Sequence, residues 1–400
     1  MKILVICQYY YPEPFRVNDI CEEMVKRGHE VVVVTGEPNY PEGQIYKGYE
    51  NHAHADEVIN GVKVHRCPIV PRKIGTLYRF LNYFSYPYLA KKYVKNLRAS
   101  DGEPFDVVFV NQLSPVMMAE PAISYKKKHN VPVLMYCLDL WPESLVAGGI
   151  DRASVIYKIF HKISGRIYRK MDRILVTSRM FCGYLEQEFG VEKNVIDYLP
   201  QYAEGMFEKL PYKVPDETMN LVFAGNIGAV QSVETIICSA EKLKDKAVHF
   251  HIVGGGTDLE RAKSLAEGLN NVTFYGRRPL EEMTKFYALA DAMLVTLKAD
   301  PVLSLTLPGK VQSYMAVGKP IVGAIDGETK KIIEEAKCGY CGKAEDVDGM
   351  VENICRFMAE KDKEKLGLNA GLFYEKYFER QKFMDKMEEN FARMCRKKFL

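Results

Sequence analysis

Residues 139 to 144 read Asp-Leu-Trp-Pro-Glu-Ser. Asp139 and Glu143 are two carboxylates around a rigid Trp141-Pro142 turn, a spacing that could orient hydroxyl groups or let one carboxylate take a proton as a base. They could equally cap a helix, since Asp and Glu favour its first turn. A second chemistry lies in TLPGKVQSYMAVGKPIVG, residues 306 to 323. A helix entered through Pro308 and Gly309 leaves backbone N–H groups without intrahelical partners and presents the positive end of its dipole, which suits an anion. Lys310 adds a point charge at the same place. Glycines follow two further apolar runs, Gly225, Asn226 and Gly228 in FAGNIGAVQSV and Gly254, Gly255 and Gly256 in IVGGGTDLE. Such glycines let a ligand approach the backbone, and the helix that follows favours phosphate. Each loop alone could be a tight turn; three at one sheet edge form a pattern that a diphosphate explains. Arg277 and Arg278, in YGRRPLEE, are further cations beside it.

The elements that must position these residues recur as short Val-, Ile- and Leu-rich runs between stretches of helical period, the mark of parallel strands covered on both faces. In the first half they are KILVIC, EVVVVTG, VKVHRC, DVVFV, VPVLMYC and RILVTS; in the second, NLVFAGN, VHFHIVGGG, NVTFYG, AMLVTL and PIVGA. The expected fold class is α/β, two doubly wound Rossmann-like domains facing across a cleft. The expected boundaries are 1–198 for the first domain, 199–219 for a polar, proline-bearing connection, 220–380 for the second domain and 381–400 for a terminal helix. In such sheets ligands bind beyond the carboxyl ends of the strands. The loop after the first run, QYYYPEPFRVNDI, has no G-x-G-x-x-G, which argues against a dinucleotide-dependent dehydrogenase. Its Arg16 could bind a phosphate or carboxylate, or be a solvated first-turn charge.

Four hundred residues point to two cores rather than one. With 55 Lys and Arg against 52 Asp and Glu, and 47% apolar residues, the chain has the balance of a soluble globular protein and nothing in it demands a nucleic acid. The start, MKILVICQYY, enters a strand at once without the features of a secretory leader, so a cytoplasmic location is expected, and no run approaches the ~20 apolar residues of a spanning helix. The ten cysteines form no framework. Cys338-Gly-Tyr-Cys341 is a lone C-x-x-C, weak ground for a metal or redox site.

The segments YYYPEPFRVNDICEEMVKRGHEVVVVTGEPNYPEG, LDLWPES, AGNIGAVQS, GRRPLEEM and TLPGKVQSYMAVGKPIVG together resemble the family-4 nucleotide-sugar glycosyltransferases. They resemble most the branch of bacterial surface-polysaccharide enzymes of the N-acetyl-fucosaminyl transferase or colanic-acid type. The resemblance covers nearly the whole chain in order. It implies the glycosyltransferase-B architecture, retention of anomeric configuration, a uridine-diphosphate (UDP) sugar as donor, no required metal or other cofactor, and a C-terminal helix that crosses back to the first domain.

The chain also departs from that pattern. Many relatives carry two glutamates that reach the donor sugar and the ribose; the matching positions here are Leu305 and Ser313. An Arg and a Lys that often follow the first donor-domain strand correspond to Asn226 and Gln231. The cation for a diphosphate is then expected from Lys310 first and from Arg277 or Arg278 next. The expected donor site is Gly225, Asn226, Gly228, Gly254, Gly255, Arg277, Arg278, Pro308, Gly309, Lys310 and Ser313. Asp139, Glu143 and Lys310 are expected to serve catalysis, and Arg16 and Trp141 the acceptor or a phosphate. As the glycosidic bond breaks, charge grows on the leaving diphosphate, and fixed donors aimed there lower the barrier.

Residues 71 to 98, PRKIGTLYRFLNYFSYPYLAKKYVKNLR, interleave aromatic and basic residues, as does YKIFHKISGRIYRKMDRI. Basic helices with aromatic faces can lie in a membrane interface and are drawn to anionic lipid; the plainer alternative is a packed helix with solvated lysines. The expected partners are a nucleotide sugar, a lipid-linked saccharide and an anionic membrane surface, with the protein peripheral at the inner face. A sugar-nucleotide epimerase of the same architecture and a non-catalytic sugar-nucleotide-binding protein stand as alternatives.

Overall fold

The computed structural model describes residues 1–71, 75–147, 149–214 and 216–396. The chain forms two compact units, one of residues 1–177, 181–199 and 384–400, the other of residues 178–180 and 200–383. Arg72 and Lys73 of the basic-aromatic stretch, and Lys397 and Lys398 of the tail, lie outside the described residues.

The first unit is built on β1 (Lys2–Ile6), β2 (Glu30–Gly36), β3 (Asp56–Ile59), β4 (Val62–Cys67), β5 (Val107–Gln112), β6 (Val133–Cys137), β7 (Arg173–Val176) and β8 (Ile196–Tyr198). They form one sheet in the order β3-β4-β2-β1-β5-β6-β7-β8. Its helices are α1 (Arg16–Lys26), α2 (Thr76–Val94), α3 (Glu120–His129), α4 (Glu143–Ala147), α5 (Val155–Tyr168) and α6 (Arg179–Phe189). Central strands such as β5 are buried along their whole length, which is why they read as unbroken apolar runs. The edge strand β3 pairs antiparallel with β4, and its sequence, DEVI, alternates exposed and half-buried positions. It gives no apolar run, and the sequence reading passed over it.

The second unit carries a six-stranded sheet in the order β11-β10-β9-β12-β13-β14, every pair parallel. The strands are β9 (Met219–Ala224), β10 (Val248–Val253), β11 (Val272–Gly276), β12 (Ala292–Thr296), β13 (Ile321–Ala324) and β14 (Gly339–Gly342). Its helices are α7 (Val233–Lys242), α8 (Leu259–Leu265), α9 (Met283–Leu289), α10 (Gly309–Ala316), α11 (Gly327–Ala336), α12 (Val347–Ala359) and α13 (Lys363–Tyr377). The short β14, with two glycines and Cys341, carried no strand signal. Both thiols of the C-x-x-C belong to this packing: Cys338 is buried in the core, Cys341 donates to the Ile325 carbonyl at 3.5 Å, and burial pushes each pKa up to about 12.

One stretch behaves differently from its sequence. Ala203 and Phe207, in the segment read as a connection, are buried in the core of the second unit, and Tyr202 is buried edge-on to Phe383 at 4.9 Å. The last helix, α14 (Arg380–Arg396), groups with the first unit from Met384 onward. There Phe391 packs edge-on to Phe109 at 5.4 Å, and the Glu388 carboxylate accepts from Arg27 and meets His29, both at 2.7 Å.

Candidate functional site

In the second unit the loops after β9 and β10 are laced together. Gly225 N–H donates to the Val253 carbonyl and Ile227 N–H to the Gly255 carbonyl, both at 2.9 Å. A Cβ on Gly254 would stand 1.8 Å from the Gly225 carbonyl oxygen, and one on Gly256 would stand 2.2 Å from that of Ile227. These two glycines are therefore required by backbone meeting backbone, before any ligand is considered. Gly225 is different: with φ +148°, the atom its Cβ would meet is Lys310 Nζ, at 2.8 Å. Around Gly309, at the first position of α10, a Cβ would meet nothing within 4 Å, so the N-terminus of that helix has open space before it.

Lys310 holds an unusual place for an amine. Its Nζ lies 3.9 Å over the ring of Phe223 on β9 and donates to Gln231 Oε1 at 3.1 Å. Burial pulls its pKa down from 10.5 to about 7, because a desolvated ammonium is disfavoured unless an anion faces it. Gln231 is where the family resemblance expects a lysine, so the ammonium on α10 reaches the spot from another element. Asn226 packs its amide over Gly228. The Arg277 stem lies beside Gly255, while Arg278 turns back to donate to the Tyr275 carbonyl at 3.0 Å. Leu305 closes a single helical turn before α10.

One acidic residue was missed. Ser313, almost fully buried on the second turn of α10, donates its hydroxyl to Glu204 Oε2 at 2.9 Å. A carboxylate is thus present beside position 313, supplied from 109 residues earlier in the chain. No spacing rule could have paired them; the only hint was an acid between Tyr202 and Phe207, two aromatics that a solvated connection would not need to carry.

In the first unit Ser114, after β5, and Ser144, on α4, both donate to Asp139 Oδ2, the latter at 2.6 Å, and the two hydroxyl oxygens lie 2.8 Å apart. Asp139 is half-buried, and burial raises its pKa above 3.8 against the pull of the two serines. Gln112, fully buried, donates to the Asp139 carbonyl at 3.0 Å, and its Oε1 has no partner. These polar groups gather at the carboxyl ends of adjacent strands β5 and β6, the edge where parallel sheets bind ligands. Arg16 opens α1 after the β1 loop, and its charge is felt at Tyr136.

Trp141 and Glu143 take other roles than those expected of them. Trp141 is 0% exposed and stands edge-on to Tyr83 of α2 at 5.8 Å and to Phe160 of α5 at 5.0 Å. It cannot meet an acceptor, because those two rings enclose it. Glu143, also buried, accepts from the hydroxyls of Tyr157 at 2.7 Å and Tyr184 at 2.6 Å and pairs with Arg152 at 2.7 Å. With its oxygens committed to α5 and α6 it neither orients a substrate nor caps α4. The Trp-Pro-Glu segment is a clamp that fixes α5.

Two Rossmann-like units, one with glycine loops laced together after its strands, define the architecture, and comparison with known proteins gives the chain a family. The pattern of the family described as "Glycosyl transferase 4-like domain" matches residues 15–201, and that of "Glycosyl transferases group 1" matches residues 218–360. The chain belongs to the family-4 glycosyltransferases of glycosyltransferase-B fold. It is 25% identical over 382 residues, 88% of this chain and 91% of the other, to a protein of Escherichia coli K12 designated the colanic acid biosynthesis glycosyl transferase WcaI. It is 26% identical over 242 residues, 56% of this chain and 59% of the other, to a Pseudomonas aeruginosa protein designated the glycosyltransferase WbjE. Among solved structures, HepE of Anabaena in complex with UDP and glucose superposes with a TM-score of 0.68 at 15% identity over 98% of this chain and 99% of that one. Sucrose-phosphate synthase of Thermosynechococcus elongatus does so with a TM-score of 0.73 at 16% identity over 98% of each chain.

Proposed function

We propose that this glycosyltransferase moves a sugar, an N-acetylated hexosamine or deoxyhexosamine, from its UDP-linked donor to a lipid-linked saccharide during synthesis of a surface polysaccharide, with retention of configuration. The observation that carries the donor assignment is Lys310: a buried ammonium over an aromatic ring, beside a glycine loop and one residue into an uncapped helix whose approach is open. Such an amine is held at a cost in the empty protein, and a diphosphate removes that cost. Glu204, held beside Ser313 on the next turn of the same helix, suits the vicinal hydroxyls of a ribose, since a carboxylate accepts from two at once.

In the step we propose, the bond from the sugar C1 to the β-phosphate oxygen breaks and its electron pair stays on that oxygen. Lys310 and the N-terminal amides of α10 stabilise the charge as it grows. The acceptor hydroxyl oxygen bonds to C1 on the face the phosphate leaves, and its proton passes to the departing phosphate. The cation is supplied by the protein, so the reading requires no metal. Asp139, with Ser114 and Ser144 around it, serves the acceptor by accepting from one of its hydroxyls. The names of the relatives, which place one in colanic acid synthesis, support a polysaccharide product, and a lipid-linked acceptor places the reaction at the inner membrane face. Release of UDP from a panel of UDP-sugars tests the donor assignment: release from none, with none bound, would overturn it.

A further inference from the structure

Eight of the eighteen exposed large apolar side chains among the described residues sit on two helices of the first unit. On α2 they are Tyr78, Phe80, Leu81, Phe84 and Tyr88; on α5 they are Val155, Ile156 and Ile159. The burial of α2 shows why this is one face rather than scatter. Asn82, Tyr86, Ala90 and Val94, four residues apart, are all buried, so the opposite stripe runs Phe80, Phe84, Tyr88 and then Lys91, Lys92 and Lys95, all exposed. On α5, Tyr157, Phe160, Ser164 and Ile167 face inward, while Val155, Ile159, Lys162 and Arg166 point out.

The two stripes adjoin. Phe80 packs on Phe84 at 4.7 Å and Phe84 on Phe160 at 6.2 Å, with Trp141 wedged beneath between Tyr83 and Phe160. A cluster of exposed aromatic and aliphatic side chains of this size marks a binding surface on a soluble domain. Its charge says what it binds: neither helix contains a single Asp or Glu, whereas lysines border the apolar stripe on both. Lys92 also stands 4.3 Å over the Tyr88 ring, an aromatic-ammonium pair suited to a headgroup layer.

We propose that this α2–α5 face docks on an anionic lipid bilayer, the aromatic and aliphatic side chains entering the interface and the lysines facing the headgroups. The proposal rests on the lipid-linked acceptor of the proposed function for its purpose, not for its observations. It also gives the Trp-Pro-Glu clamp a task, since Trp141 packs between Tyr83 of α2 and Phe160 of α5 and Glu143 ties Tyr157 of α5 to Tyr184 of α6. No helix of the described residues is long and apolar enough to cross a membrane, so the attachment is to the surface.

The test is flotation of the full chain with vesicles of phosphatidylcholine, with and without phosphatidylglycerol, none containing a saccharide lipid. The wild type should float with the anionic vesicles and less so at high salt. Phe80→Ser combined with Tyr88→Ser and Ile159→Ser should cut the bound fraction about tenfold, as should Lys91→Glu with Lys92→Glu and Lys95→Glu. Phe80→Trp should keep it. These positions are exposed, so UDP binding should persist in every variant and report an intact fold. No flotation of the wild type, or equal flotation of all variants, overturns the proposal. So does a dimer in sedimentation equilibrium that the serine variants dissociate, because the face would then belong to a second copy. Since the vesicles carry no acceptor, a wrong acceptor assignment would leave the flotation unchanged.

Discussion

The proposed contact of the Lys310 amine with a diphosphate would make donor binding a proton-linked event, and the size of the effect follows from the surroundings of that amine. In the empty protein burial holds the pKa near 7. A diphosphate against Nζ restores the charged form and lifts the pKa towards that of an ordinary lysine. At pH 8 the free protein carries about 0.1 proton on Nζ and the complex nearly a full one, so binding takes up about 0.9 proton. At pH 6 both states are protonated and uptake from Lys310 vanishes. The dissociation constant for UDP should therefore rise about tenfold per pH unit above 7, in a range where the nucleotide itself is fully ionised. Calorimetry of UDP binding at pH 8 in two buffers of different ionisation enthalpy reads the proton count directly. Lys310→Met should abolish it.

Stability gives the same quantity with a definite sign. Between pH 7 and 10.5 the unfolded chain holds a proton that the folded chain has lost, so stability rises with pH across that window and is lowest below 7. Lys310→Met should accordingly stabilise the empty protein at pH 7 by roughly 2–4 kcal/mol, seen as a higher urea midpoint, while weakening UDP. Zero proton uptake by the wild type at pH 8, or equal uptake by the variant, would remove Lys310 from the diphosphate contact.

Three other substitutions separate roles that the site description assigns. Asp139→Asn should lower transfer to a saccharide acceptor at least tenfold, the worth of one hydrogen bond to a charged group, and leave UDP affinity unchanged; a parallel fall in UDP affinity would remove Asp139 from the acceptor. Trp141→Ala should cost about 3–5 kcal/mol of stability and Glu143→Gln roughly 1–3 kcal/mol in urea unfolding, both with UDP binding intact; an unchanged midpoint for either would contradict the clamp. Glu204→Gln should weaken UDP about tenfold while pyrophosphate, which has no ribose, binds as before; equal losses for both would place Glu204 elsewhere.

The fold was legible where burial is two-sided. Strands such as β2 and β12 carry apolar runs because helices cover both faces, and the sequence named eleven of the fourteen strands among the described residues. β3, β8 and β14 escaped because an exposed edge, a length of three residues and a pair of glycines each remove the run. The glycine loops and the start of α10 were legible because Pro-Gly-Lys at a helix start and glycines after strands are local signals. The acceptor-side residues misled for a physical reason. Carboxylates and a tryptophan at a strand end look alike whether they face a ligand or a neighbouring helix, and only burial separates half-exposed Asp139 from Trp141 and Glu143. Glu204 was out of reach because its partner lies 109 residues away and the segment between carries no period that links them.

The proposal on which the others depend is that Lys310 and the glycine loops of the second unit hold the diphosphate of a UDP-sugar whose sugar the enzyme transfers. UDP release from a panel of UDP-sugars, followed for the wild type and for Lys310→Met side by side, tests it most directly. The wild type should release UDP from at least one UDP-linked amino sugar, and the variant should lose at least tenfold of that rate. Release that is indifferent to the substitution, or that occurs only with sugars linked to another nucleotide, would contradict it.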